Sequence, residues 1–149
     1  MKMLDRKKEI HFQEINMPDF ITPNSFQLTN GLQVCVMEGG GQELCRLDMV
    51  FEAGSKVQNK ALQASLCNAL LLEGTAQKKG EEIHESLDFY GAYTQLDVNS
   101  DRAVVSLFTL NKYFDKVLPI FIDALKNAVF PEDEFQVALA QKKQSFRIN

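Results

Sequence analysis

Asn59-Lys60-Ala61-Leu62-Gln63-Ala64-Ser65-Leu66-Cys67-Asn68-Ala69-Leu70-Leu71-Leu72-Glu73-Gly74-Thr75 marks the place where the chain changes its period. Just upstream, from Leu44 to Ala53, residues Leu44, Arg46 and Asp48 alternate against Cys45, Leu47 and Met49, the two-residue period of a strand. From Ala61 onward the apolar residues instead recur at helical spacing, through Leu62, Leu66, Ala69, Leu70 and Leu72. The spacing predicts a helix from about Lys60 to Leu72, apolar nearly all round and therefore buried, with Gly74 as its stop.

Toward the N-terminus, Ser25-Phe26-Gln27-Leu28 and Leu32-Gln33-Val34-Cys35-Val36-Met37 flank Thr29-Asn30-Gly31. Asn-Gly between two such runs predicts a hairpin whose two central residues both take φ > 0. Gly39-Gly40-Gly41 makes the next turn, and Gly54-Ser55 closes the third strand. Toward the C-terminus, a helix is expected from about Gly80 to Tyr90, with Ile83, Leu87 and Tyr90 on one face. Two strands, Tyr93 to Asn99 and Arg102 to Leu110, follow around Asn99-Ser100-Asp101. Asn111 is expected to cap a helix reaching about Ala128, and Pro131 to open another. On that helix Tyr113, Phe114, Val117, Leu118, Phe121, Ile122 and Leu125 follow core spacing.

The order predicts an α+β fold, an antiparallel sheet with helices packed on one face. Residues 1–24, with Pro18 and Pro23, read as an irregular N-terminal arm, and residues 25–149 as one domain. The last helix reaches Arg147-Ile148-Asn149 with no cap or stop signal, so the domain is expected to be truncated at its C-terminus.

Composition narrows the function classes. The 149 residues are 45% hydrophobic and 24% charged, with 11 Phe, which predicts a packed core. The net charge is −4, and basic residues are interleaved with acids, as in Lys78-Lys79 before Glu81-Glu82. That is not the concentrated basic footprint of a nucleic-acid binder. No apolar run reaches the roughly 18 residues of a membrane span, and the N-terminus lacks the apolar stretch of a secretory signal. If Met1 is native, a cytoplasmic protein is expected. Cys35, Cys45 and Cys67 are odd in number and lack C-x-x-C spacing, so free, buried thiols are expected.

Several segments, taken in order, carry a resemblance. Leu28-Thr29-Asn30-Gly31-Leu32-Gln33-Val34, Phe51-Glu52-Ala53-Gly54-Ser55 and Leu70-Leu71-Leu72-Glu73-Gly74-Thr75 stand in the order and spacing of one peptidase family. Tyr90-Gly91-Ala92, Asn99-Ser100-Asp101, Leu118 to Leu125 and Phe130-Pro131 continue the series. In these the chain resembles the pitrilysin/insulinase zinc peptidases, family M16, which include the mitochondrial processing peptidases. The resemblance implies the N-terminal part of an M16-like metallohydrolase domain.

Active members carry H-x-x-E-H on the first helix. The two His bind zinc, and the Glu takes a proton from the metal-bound water. Counting back from Gly74-Thr75, those positions fall on Ser65, Asn68 and Ala69. A Ser hydroxyl is a poor zinc ligand, Ala has no donor atom, and a neutral amide is no general base. The resemblance places a third ligand, a Glu, in the helix after Phe130-Pro131, where this chain reads Gln141-Lys142-Lys143-Gln144-Ser145-Phe146. No His occurs between Asn59 and Gly80, so a small shift of register does not restore the motif. The expectation is an inactive peptidase domain without zinc or other cofactor.

Other candidates are weaker. His84-Glu85 with Asp88 echoes a zincin helix but reads as a solvated face of mixed charge. His11 has no partner in sequence, and Cys67 or Ser65 as a nucleophile lacks a neighbouring base. The resemblance therefore implies a non-catalytic subunit or half. It would help enclose unfolded peptide for an active M16-like partner, with peptide laid as an added strand on a sheet edge. The alternative is a scaffold module with no role in proteolysis, as in the core subunits of the respiratory cytochrome bc1 complex. Substrate-gripping Arg and Tyr residues in the rest of such a protein would separate the two.

Overall fold

A computed structural model of the chain describes residues 20–148. They fall into two compact units that divide between Gly41 and Gln42. Most of the expected N-terminal arm, and His11 with it, lies outside the described residues.

The first unit is a hairpin, β1 (Asn24–Gln27) and β2 (Gln33–Val36), paired antiparallel with Gln27 opposite Gln33. Its turn differs from the expected one. Gly31 takes φ 87°, whereas Asn30 does not have a positive φ. The Gly31 N–H donates to Leu28 O and the Leu28 N–H to Leu32 O, both at 2.9 Å. The loop is therefore three residues long, a tight turn followed by one left-handed glycine. Asn30 serves it with its side chain, accepting the Leu32 N–H at 3.1 Å.

The second unit holds a three-stranded antiparallel sheet in the order β3-β5-β4. Its strands are β3 (Leu44–Phe51), β4 (Tyr93–Val98) and β5 (Ala103–Leu110), with β5 central. Four helices accompany them: α1 (Gln63–Ala69), α2 (Gly80–Asp88), α3 (Phe114–Lys126) and α4 (Glu132–Ile148). The core sits on one face of the sheet. Val105 and Leu107 of β5 are fully buried there against Leu72, Ile83, Leu87, Val117, Phe121 and Ala124. Partly buried Leu47, Met49 and Leu96, which share that face by register, extend it. The α+β architecture with helices on one side is as the sequence predicts.

Element ends shift by a few residues, most at the first helix and at the start of α3. The first helix is only seven residues, because Leu62 sits at φ 67°, a left-handed conformation that no helix can run through. Beyond Ala69 the chain tightens through Leu71 N–H to Asn68 O (3.3 Å) and Glu73 N–H to Leu70 O (3.2 Å), which turns Leu72 into the core. Asn111 does not cap α3 with its side chain. It opens a short 3-10 turn, and its N–H donates to Glu43 O at 3.1 Å. Among the described residues no helix is long and apolar enough to cross a membrane.

The segment after β3 is clasped to the β4–β5 turn. Gly54, Ser55 and Lys56 donate backbone N–H groups to Asp101 O (3.2 Å), Asn99 O (3.0 Å) and Ser100 O (2.9 Å). A side chain at Gly54 would meet this turn's backbone, with Asp101 C only 2.3 Å from an ideal Cβ. Here glycine is required by proximity.

Candidate functional site

The site centres on α1 and the end of β4 beside it. Leu66 and Leu70 anchor the helix in the interior, at 7% and 3% exposure. Ser65 and Ala69 are half-buried, and the Ser65 hydroxyl donates to Leu62 O at 3.1 Å, which spends its one proton on the first turn. Asn68 is only 3% exposed. Its Nδ2 donates to Asp97 O at 3.1 Å, tying α1 to β4 across 29 positions of sequence. Its Oδ1 is buried and has no hydrogen-bond partner. A buried acceptor in that state costs about 1–3 kcal/mol of desolvation and calls for a physical account.

An apolar pocket of about 310 Å³ opens beside Asn68, walled by Phe51, Ala53 and Gly54 of the β3 end, by Val57, and by Ala64 and Leu71 of α1 and its following turn. On the other side, a groove of about 340 Å³ runs between Leu66, Leu70, Phe130 and Phe135. Cys67 lines both. This overturns the expected burial of the thiols: Cys67 and Cys35 are exposed, and Cys45 is half-buried. The physical reason is that α1, although apolar nearly all round, is not enclosed all round. Burial raises the Cys45 thiol pKa, the opposite of activation.

The remaining candidates do not converge on this helix. His84 on α2 has its Nε2 3.8 Å from Glu73 Oε1, too far for a hydrogen bond, while Glu85 and Asp88 are exposed. Gln141, Lys142, Lys143, Gln144 and Ser145 lie exposed on α4. Among the described residues no three His, Cys, Asp or Glu side chains lie close enough together to hold a metal ion. Val117 and Phe121 are fully buried, so the aromatic stripe of α3 is core.

Sequence reasoning missed a polar cluster on the sheet face away from the helices. Arg46 pairs with Asp48 at 2.8 Å and lies over the Phe108 ring at 5.1 Å, and Phe108 stacks on Tyr93 at 4.5 Å. Burial works against the Asp48 charge, but hydrogen bonds from Arg46 and Ser106 and the guanidinium charge hold its carboxyl below the usual range. The strand alternation that puts Arg46 and Asp48 on one face was the available signal.

The sequence profile described as insulinase, peptidase family M16, matches residues 34–146. The chain belongs to the M16 peptidase family. Among related proteins, an uncharacterized zinc protease of Rickettsia felis is 23% identical over 124 residues, covering 79% of this chain and 30% of that protein. Among solved structures, a peptidase M16 inactive domain from Pseudomonas fluorescens is 27% identical, with a TM-score of 0.72 over 84% of this chain and 30% of its own. A protease from Helicobacter pylori shares the fold with a TM-score of 0.74 at 21% identity, over 84% of this chain and 31% of its own. The chain thus spans about three tenths of the length of these relatives.

Proposed function

We propose that this chain is part of a non-catalytic half of an M16 peptidase, which encloses peptide for an active M16-like partner. The observation that carries the reading is the state of Ser65, Asn68 and Ala69. One hydroxyl is bonded to Leu62 O, one amide is bonded to Asp97 O, and one side chain has no donor atom. Zinc does not fit this set, since a catalytic site needs three protein ligands, usually imidazole or carboxylate. With no carboxylate at 68, no group there takes a proton from water at neutral pH.

What the fold retains is a way to hold an extended chain. The Asn99 N–H bonds Arg102 O at 3.0 Å across the hairpin, so by alternation Tyr93, Gln95 and Asp97 face β5. Thr94, Leu96 and Val98 then present their backbone N–H and C=O groups on the outer edge of β4. A peptide added there as a strand is read through its backbone, as suits a chamber that accepts varied sequences.

The test is to purify the protein alone and with an active M16 partner, then measure zinc content, peptide binding and peptide hydrolysis. The reading expects no stoichiometric zinc and no cleavage from the protein alone, with peptide retained. Stoichiometric zinc and chelator-sensitive cleavage by the protein alone sink it. Partner binding with no peptide retention assigns the protein to the scaffold reading instead.

A further inference from the structure

We propose that the pocket beside α1 is a subsite for one uncharged, apolar side chain of a bound peptide, with Asn68 Oδ1 accepting a hydrogen bond from that peptide's backbone N–H. The proposal rests on the peptide-binding reading and adds a selectivity to it. Two independent features of the pocket support it. The first is its chemistry: no charged residue lines it, and its volume of about 310 Å³ lies at the small end of ligand sites. It has room for a single large side chain and not for a folded segment. A charged group placed there would lose hydration with no counter-charge to replace it.

The second feature is the acceptor. Three amide side chains line the pocket, those of Gln58, Gln63 and Asn68. Gln58 Oε1 already accepts the Ala64 N–H at 3.2 Å, and Gln63 Oε1 accepts those of Asn59 and Lys60 at 3.2 and 3.3 Å. Asn68 Oδ1 alone among these three oxygens has no partner, and it is screened from solvent. The bond from Nδ2 to Asp97 O stays in place, and a peptide N–H entering the pocket supplies the bond that Oδ1 lacks. An apolar ligand with one N–H donor matches an apolar wall with one open acceptor.

The exposed thiol of Cys67 at the rim gives a direct readout, and the exposed thiol of Cys35 on β2 is an internal control. The probes are N-acetyl-leucinamide and N-acetyl-phenylalaninamide, against N-acetyl-aspartamide and N-acetyl-lysinamide. Alkylation of the full chain by iodoacetamide is followed at each cysteine by mass spectrometry. The expected result is that saturating apolar probe slows modification of Cys67 at least fivefold and leaves Cys35 unchanged, while the charged probes do neither. Ala64→Leu, which fills the pocket from α1, abolishes the protection. Asn68→Ala weakens it about tenfold, and if that variant does not fold, the wild-type and Ala64→Leu measurements still decide. Equal protection by charged and apolar probes, equal protection of Cys35, or no protection overturns the subsite. If a long unfolded peptide is still captured while Cys67 stays unprotected, only the subsite fails. If the small probes bind and the long peptide does not, the enclosing role fails instead.

Discussion

Gly54→Ala tests whether the clasp after β3 holds this unit together. The added Cβ would lie 2.3 Å from Asp101 C, 2.4 Å from Ser100 O and 2.5 Å from Arg102 N, where ordinary contact starts at 3.4 Å. Relief therefore needs a displacement of about 1 Å against backbone, which cannot rotate aside as a side chain does. That shift breaks the bonds from the Gly54, Ser55 and Lys56 N–H groups, which span 2.9–3.2 Å. At about 1 kcal/mol for each backbone bond, the cost is about 3 kcal/mol. The exposed Lys56–Asp101 pair, at 2.7 Å, adds little. Gly91→Ala separates contact from conformation. Gly91 has φ 64° and nothing within 4 Å of its Cβ position, so alanine there costs only the left-handed penalty, about 1 kcal/mol. Urea unfolding of the chain gives both values, and hydrogen exchange at residues 54–56 reports the clasp itself. Equal losses for the two variants, or unchanged exchange at 55 and 56 in Gly54→Ala, would refute the account.

Other outcomes follow from the same geometry. Phe121→Ala empties the centre of the core and is expected to cost about 3–5 kcal/mol in urea unfolding; a loss under about 1 kcal/mol would mean the helices do not pack as described. Leu62→Asn suits the left-handed position, so a net gain of about 0.5 kcal/mol is expected after loss of some half-buried apolar surface. A lowered unfolding midpoint would show that Leu62 is not strained. Asp48 has a depressed folded pKa, so its stabilising share is present above the unfolded carboxylate range and is lost as pH falls through the folded value. Asp48→Asn should therefore flatten the acid limb of stability while changing little at pH 7, where the half-exposed pair is worth about 1 kcal/mol or less. An unchanged acid limb would remove Asp48 from that role.

Periodicity made most of the fold legible. The alternation from Leu44 onward and the spacing of Ile83, Leu87, Val117 and Phe121 report burial directly, since each element buries one face. The strand pairing of β3 with β5 carries no local signal, because it depends on register between residues far apart in sequence. The short α1 was hidden because leucine is a good helix former, so nothing in the residue itself signals the positive φ of Leu62. Near α1, counting back from Gly74-Thr75 singles out Ser65, Asn68 and Ala69 as an expectation from the sequence alone. The bond from Asn68 to Asp97 and the exposure of Cys67 were not legible there, as both follow from what α1 is laid against.

The Asn68–Asp97 bond also bears on how such a helix can change over generations. Its direction is fixed, with the side chain donating and the strand carbonyl accepting. A carboxylate at 68 would set acceptor against acceptor and leave a charge in a position only 3% exposed. A carboxylate there would thus loosen α1 from β4 unless a positive charge arrived with it. A one-way bond between a helix side chain and a strand carbonyl thereby limits what can stand at 68: a neutral donor is tolerated there and a lone negative charge is not.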